Sequence, residues 1–270
     1  MLVFLDNDVL GPGGSNIQSV LPLLGRPDVR VLGIGVVTGD AWLPEETVHL
    51  LRFPEIAGRT GIPVLRGALM PLLRTQAEMH DWEARYGRIP WKGAWNAPRP
   101  GRSYHPDQPE LIPPLPEGTP VTRANDADAV SFLIRSVRAH PHAVTIVAAG
   151  PLTNIALALR IAPDLAGLAK QLVFMGGLID TGMGQVTGNA DYNSDFNFLF
   201  DPEAAHIVLA APWARVTAIG NVATGIVMTP ELVERISRAG TPVSGYVATL
   251  PAAASRSGTR SPRRWPWSHR

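Results

Sequence analysis

The chain has 270 residues, 45% of them hydrophobic and 17% charged, which is enough to bury one sizeable core in a single domain. It has no cysteine, so a disulfide framework and a thiolate metal site are excluded, and a metal ion would need oxygen or imidazole ligands. The net charge of +1 includes five arginines within the last fifteen residues, and the rest of the chain carries −4, so we expect neither nucleic acid nor membrane as a partner.

The N-terminus resembles the start of a buried strand. The chain reaches Asp6 within six residues of Met1, without the basic start and long apolar run of a signal peptide. No apolar stretch approaches the roughly 20 residues that span a membrane. We therefore expect a cytoplasmic protein.

Residues 1–65 predict alternating strands and helices. Short apolar runs indicate buried strands, and acids after a proline favour the start of a helix. The predicted elements are a strand at Leu2–Leu5, a helix capped by Ser15 and ending at Leu24, a strand at Val29–Val37, a helix at Pro44–Ala57 and a strand at Ile62–Leu65.

Residues 70–122 have a different composition. They hold many of the prolines together with Trp82, Trp91 and Trp95, and their apolar periodicity is weak. A long functional loop and a poorly ordered surface insertion are both consistent with this pattern.

Regular alternation returns after this segment. The predicted elements are a helix capped by Asn125 or Asp126 and ending near His140, a strand at Val144–Ala148, a helix ending at Ile161, a strand at Leu172–Met175, a helix at Pro202–Ala210 and a strand at Val216–Ile219. Such alternation predicts an α/β fold with a mostly parallel sheet covered by helices on both faces. Ligands of these folds bind beyond the carboxyl ends of the strands.

Three polar motifs follow predicted strands. Asp6-Asn7-Asp8 precedes a glycine-rich turn, and carboxylates of this kind bind hard cations such as Ca²⁺, although a solvated turn has the same pattern. Residues 188–197 are rich in amides and carboxylates that suit a polyol such as ribose, or that cap their own backbone. Residues 150–154, Gly-Pro-Leu-Thr-Asn, end a strand sharply and can turn a backbone carbonyl toward the site, while Thr153 and Asn154 could cap the next helix.

Several motifs in order resemble the inosine-uridine-preferring nucleoside hydrolases, over roughly residues 2–250. The most specific are Gly-Pro-Leu-Thr-Asn-Ile-Ala at 150–156, Met-Gly-Gly at 175–177, and Gly-Asn, Asp-Phe-Asn and Asp-Pro-Glu-Ala-Ala within 188–205. Val-Thr-Gly-Asp at 37–40 and Ala-Gly-Arg-Thr-Gly-Ile-Pro at 57–63 match the early part of the pattern. The resemblance implies the family's α/β fold, with a Rossmann-like core.

The resemblance also implies hydrolysis of the N-glycosidic bond of a ribonucleoside to ribose and free base. Bound Ca²⁺ would hold the ribose hydroxyls and the attacking water, and an aspartate would take the water's proton. By position, Asp8 would be metal ligand and general base, supported by Asp6. The other implied positions are Asn16 and the Ala149 carbonyl as metal ligands, and Asp40, Asn189, Asp195, Asn197 and Ser15 as ribose contacts.

Two departures distinguish this sequence from the family pattern. Ser15 and Asn16 stand where the family has an acidic pair, which removes negative charge from the metal site. The family's late aspartate ligand is also not found, so Ca²⁺ binding is expected to be weakened or lost. Residues 251–270 are arginine-rich and predicted to be disordered, beyond a domain at 1–250. A frameshift near residue 250 is one hypothesis for this ending, and sequencing the locus tests it.

Two alternatives to the enzyme remain open. One is a non-catalytic descendant that binds ribosides weakly or not at all. The other is a glycosyltransferase that holds a sugar nucleotide through Asp6-Asn7-Asp8. It requires a basic cluster for the diphosphate, and residues 1–50 offer Arg26 and Arg30. Family members commonly form dimers or tetramers, so a homo-oligomer is also implied.

Overall fold

The computed structural model of the chain describes residues 1–13, 16–87, 89, 91–98, 104–177, 195–220 and 229–255, and for residues 13, 18 and 250–255 it describes the backbone alone. The predictions for Ser15, for Asn189 and for the tail beyond Ser255 lie outside these residues.

The described strands form one six-stranded sheet in which every pairing is parallel. The strand order is β3-β2-β1-β4-β5-β6. The strands are β1 (Leu2–Asn7), β2 (Arg30–Val36), β3 (Val64–Arg66), β4 (Val144–Ala148), β5 (Gln171–Met175) and β6 (Val216–Ile219). The predicted α/β fold with a parallel sheet is confirmed.

Helices connect the strands and follow the last of them. They are α1 (Ile17–Gly25), α2 (Leu43–Ile56), α3 (Gln76–Tyr86), α4 (Ala129–Ala139), α5 (Thr153–Ile161), α6 (Leu165–Leu168), α7 (Phe196–Phe200), α8 (Pro202–Leu209), α9 (Pro230–Ser237) and α10 (Pro242–Ser255). Short 3₁₀ turns occur at Gly11–Gly13 and Gly93–Trp95. Within the described parts, no helix is both long and apolar enough to cross a membrane.

Two apolar cores lie on opposite faces of the sheet. Alternate residues of a strand point to opposite faces, so Phe4 packs into one core with α4, α5 and α8, while Leu5 packs into the other with α1, α2 and α10. Ile146 and Val147 of β4 divide in the same way. The sheet is therefore covered on both faces, which leaves its strand ends for a ligand.

Three helix caps differ from the predictions. The residue before α1 is Asn16, and its side chain makes no capping bond. Asp128 caps α4, because its carboxylate accepts a hydrogen bond from the N–H of Ser131. No side chain caps α5, since Thr153 and Asn154 bind elsewhere. Several polar residues lie at each of these helix starts, so sequence alone could not rank them as caps.

The segment between residues 70 and 122 contributes to a third apolar cluster. Its helix α3 begins with a capping box formed by Thr75 and Glu78, and Met79 is its one buried residue, which explains the weak periodicity. Trp91 and Trp95 are buried against Phe200 and its neighbours on α7. This part of the segment is packed against the domain.

Glu55 of α2 anchors the end of that segment. One carboxylate oxygen accepts hydrogen bonds from Val121 N, Thr122 N and Thr122 Oγ1 at 2.8, 2.6 and 2.7 Å, and the other pairs with Arg52 at 2.9 Å. Burial opposes ionisation, but these bonds outweigh it and hold the pKa of Glu55 at about 2. The contact therefore depends on a charged carboxylate.

We expect Glu55→Gln to lower the free energy of unfolding at neutral pH. A depressed pKa stabilises the fold above the unfolded value of 4.5, and this contribution is lost as the pH falls from there toward about 2. Urea unfolding between pH 7 and pH 2.5 should show the wild type and the variant converging in acid. Glu110→Gln, at an exposed position, should leave the profile unchanged. If the difference in unfolding free energy between the wild type and Glu55→Gln stays constant with pH, this explanation is contradicted.

Candidate active site

The polar residues that follow β1 and β4 lie where the strand order reverses. β2 and β3 extend the sheet on one side of β1, whereas β4, β5 and β6 lie on the other side. Asp6 is in register with Ala148, and the N–H of Ala149 donates to the Asp6 carbonyl at 2.9 Å. Open α/β sheets bind ligands in the crevice at such a reversal.

Asp8 is fully buried at this crevice, directly after β1. Its Oδ1 accepts a hydrogen bond from Asn16 Nδ2, and its Oδ2 accepts one from the Asp40 backbone N–H at 3.2 Å. Burial and the charge of Asp40 raise the pKa of Asp8 well above its usual range, and the two hydrogen bonds oppose the rise. The structure thus brings Asp8, Asn16 and Asp40 together, and a nearby cation would favour the charged form of Asp8.

Two glycines allow the chain to approach Asp8 this closely. A Cβ atom on Gly39 would lie 2.1 Å from Asp8 Oδ2 and 2.7 Å from Asp8 Cβ, and one on Gly150 would lie 2.9 Å from Asp8 Cγ. The backbone at Gly39 and the backbone at Gly150 therefore restrict the position of the Asp8 side chain.

We expect Gly39→Ala to displace the Asp8 carboxylate and to destabilise the fold by about 1–3 kcal/mol, as overpacking does. Any activity that depends on Asp8 should fall with it. Gly61→Ala is the matched control, because a Cβ there meets nothing within 4 Å. Thermal unfolding and activity of both variants test this. Equal behaviour of the two variants would show that the close approach does not matter.

Asn154 holds Asp6. Its Nδ2 donates to Asp6 Oδ1 at 2.8 Å and to the Val36 carbonyl at 3.0 Å, and its Oδ1 accepts from Ala68 N at 2.8 Å. Burial raises the pKa of Asp6 to about 7, and the Asn154 bond opposes this rise. The sequence indicates Asn154 only as a possible helix cap, yet its side chain joins the ends of three strands.

Asp40 and Glu46 bring two further carboxyl groups to this region. Trp91 Nε1 donates to Asp40 Oδ1 at 2.9 Å, so the segment after α3 contacts the site. Glu46 is fully buried, and its Oε1 accepts from Ala41 N at 2.7 Å. Burial, followed by the charge of Asp8, raises the pKa of Glu46 well above its usual range. In the sequence, Glu46 is one of two acids after Pro44 and indicates only the start of a helix.

Asp195 and Asn197 lie at the carboxyl end of β5. Asp195 accepts hydrogen bonds from the N–H groups of Gly177 and Asn197, while Asn197 Nδ2 donates to the Met175 carbonyl at 2.9 Å. Both side chains are thus bonded to backbone. Phe196 between them packs against Gly93, close to the Gly39 carbonyl, which connects this strand end to the loop beside Asp8.

The oxygen atoms available here as metal ligands belong to carboxylates, amides and backbone carbonyls. These are the ligands that Ca²⁺ prefers. Across the described ranges, no three or more His, Asp or Glu side chains are arranged to hold a metal. Of the metal ligands that the resemblance implies, only Asp8 is an acid or a histidine. That ligand set therefore does not require a cluster of three. Asp6 Oδ2 and Glu46 Oε2 are buried with no hydrogen-bond partner among the described atoms, as expected beside a site for a cation or water.

Comparison with known proteins identifies the family. Residues 3–264 match the family defined as inosine-uridine preferring nucleoside hydrolase. The chain is 34% identical over 244 residues to an uncharacterised protein of Schizosaccharomyces pombe, covering 88% of this chain and 58% of that protein. It is 30% identical to the inosine-uridine preferring nucleoside hydrolase of Crithidia fasciculata, covering 88% and 66%. The chain thus spans about three fifths to two thirds of the length of these two relatives.

Solved structures share the fold. A plant nucleoside hydrolase superposes with a TM-score of 0.69 at 23% identity, covering 95% of this chain and 71% of that one. A purine-preferring ribonucleoside hydrolase from Gardnerella vaginalis gives 0.69 at 21% identity, covering 95% and 72%. With the family match over most of its length, the chain belongs to the inosine-uridine preferring nucleoside hydrolase family.

Proposed function

We propose that this protein hydrolyses the N-glycosidic bond of a ribonucleoside to ribose and a free base. One observation carries the proposal, namely the burial of Asp8 at the strand-order reversal, with Asn16 and Asp40 bonded to its two carboxylate oxygens. A buried carboxylate in a crevice is suited to accept a proton from a water molecule.

Each predicted site residue has a place in this reaction. Asp8 is the general base and a metal ligand, Asn16 and the Ala149 carbonyl are further metal ligands, and Asp6 supports Asp8 from the strand end. Calcium bound there would supply a Lewis acid that lowers the pKa of a water molecule. The residues that hold ribose are Ser15, Asp40, Asn189, Asp195 and Asn197.

The ribose contacts require side chains to exchange partners. Asp195 and Asn197 are bonded to backbone groups of Gly177 and Met175, so a ribose hydroxyl must either displace these bonds or use the second acceptor position of each oxygen. Asp40 is held by Trp91, whose Nε1 donates to Asp40 Oδ1 at 2.9 Å.

A non-catalytic riboside-binding protein is the second candidate. It is favoured by the neutral Asn16 beside Asp8 and by the backbone bonding of Asp195 and Asn197. The glycosyltransferase is disfavoured. Arg26 pairs with Asp28 and Arg30 begins β2, both at the amino ends of the strands, away from Asp8.

The test is to incubate the purified chain with inosine and with uridine, in millimolar Ca²⁺ or in EDTA, and to measure ribose and free base. Equimolar ribose and base that appear with Ca²⁺ and stop with EDTA are the expected result. Riboside binding by calorimetry without turnover would identify the non-catalytic protein. Absence of both would overturn the proposal.

The proposed partner and assembly rest on family resemblance. A nucleoside is the expected small-molecule partner, and the chain assembles as a homodimer or homotetramer. A cytoplasmic location is part of the same proposal. Size-exclusion chromatography with light scattering tests the assembly.

A further inference from the structure

Glu46 is a buried acid that the proposed reaction does not use. Its side chain is fully buried in the first turns of α2. Oε1 accepts the Ala41 N–H, whereas Oε2 is buried with no hydrogen-bond partner among the described atoms. A buried carboxylate oxygen without a partner is costly, so its retention calls for an explanation such as a bound ion or water.

The backbone places Glu46 next to Asp8. The N–H groups of two consecutive residues, Asp40 and Ala41, donate to the two acids, the first to Asp8 Oδ2 at 3.2 Å and the second to Glu46 Oε1 at 2.7 Å. Successive backbone N–H groups in a turn can form a concave site that binds anionic groups. The Asp8 charge is also the largest single charge acting on Glu46.

The neighbouring acid Glu45 lies in different surroundings. It precedes Glu46 on α2, but the charges that act on it are those of His49 and Glu117, which form a buried pair on the other side of the helix start. Glu45 and Glu46 are thus neighbours in sequence and both buried, with exposed fractions of 8% and 0%, and the charge of Asp8 acts on Glu46. This pair gives a controlled comparison within one turn.

The loop between β1 and α1 contacts Asp8 through a neutral side chain, which leaves a role for the negative charge of Glu46. Ca²⁺ affinity rises with the number of carboxylates around the ion. The residue that contacts Asp8 from the loop is Asn16, a neutral amide. The expected ligands are Asp8, Asn16 and the Ala149 carbonyl, so a further carboxylate would act from outside this set.

We propose that Glu46 is a positioning carboxylate for the calcium site at Asp8, which supplies negative charge from outside the set of direct ligands. The inference rests on the proposed function, because it requires that Asp8 binds calcium. Loss of such an outer carboxylate lowers metal affinity by roughly 10- to 100-fold.

The test is calcium binding by calorimetry on the full chain after removal of metal with EDTA. Glu46→Gln should weaken the calcium Kd by roughly 10- to 100-fold. Glu45→Gln should bind calcium as the wild type does. Without calcium, Glu46→Gln should melt no lower than the wild type, because the amide oxygen still accepts the Ala41 N–H and no buried charge remains.

Equal calcium Kd for Glu46→Gln and the wild type would overturn the inference while leaving the proposed function intact. A lower melting temperature with unchanged Kd would show a purely structural role and would also overturn it. If Glu46→Gln does not fold, Glu46→Met applies the same criterion. A wild type that binds no calcium at millimolar concentration would overturn the proposed metal site together with the inference.

Discussion

Replacing Asp8 with Asn is expected to reduce nucleoside hydrolysis by about 10³-fold or more, with little loss of stability. Under the proposed mechanism the variant loses both the general base and a charged metal ligand, and each loss has a large effect. Stability should hold, because burial and Asp40 already disfavour the charged form of Asp8. Asn16 can turn its amide so that its oxygen accepts from the new amide.

Ribose release and thermal unfolding measured on the same preparations test this expectation. Asp164→Asn is the control, because Asp164 is half-exposed and pairs with Arg138 far from the site. It should retain full activity. If Asp8→Asn keeps more than about a tenth of the activity, Asp8 is not the general base.

Replacing Asn154 with Ala is expected to destabilise the fold by about 3–5 kcal/mol. The change removes three hydrogen bonds of a buried side chain, to Asp6, Val36 and Ala68, of which the first two are themselves buried. It also leaves Asp6 with neither carboxylate oxygen bonded to a side chain of the described chain. Activity should fall too, since Asp6 is two residues from Asp8.

Asn154→Asp separates the lost donor from the lost volume. This variant keeps the shape and the acceptor for Ala68 N–H, but places a carboxylate oxygen against Asp6, so it should be at least as unstable as Asn154→Ala. Asn125→Ala, at an exposed asparagine that accepts one bond from Ala127, should cost less than about 1 kcal/mol. Urea unfolding measures all three. A change below 1 kcal/mol for Asn154→Ala would contradict the assigned role.

The fold could be predicted because its strands are short apolar runs bounded by glycine and proline. Val144–Ala148 and Val216–Ile219 were predicted with the observed bounds. The cap of α4 could not be ranked, because Asn125, Asp126 and Asp128 all suit a helix start and the packing of Ala129 against the sheet decides among them. The packing of Trp91 and Trp95 depends on α7, which lies a hundred residues away.

Part of the candidate active site could also be predicted from the sequence. Asp6 lies near the end of β1, and Asp8 and Ala149 follow β1 and β4, which a parallel sheet brings to one edge, so their proximity follows from the topology. Asn154 and Glu46 were missed because their roles depend on tertiary partners. Glu45 and Glu46 cannot be distinguished in sequence, and the phase of α2 against the loop after β1 decides which of them lies beside Asp8.

A crystal structure of the chain grown with millimolar Ca²⁺ tests most directly the claim that Asp8 is the centre of a metal-dependent nucleoside hydrolase. We predict an ion bound by the Asp8 carboxylate, the Asn16 side-chain oxygen and the Ala149 carbonyl, at about 2.3–2.6 Å from each. An ordered crevice with no ion at Asp8, or calcium bound elsewhere on the chain, would contradict the claim.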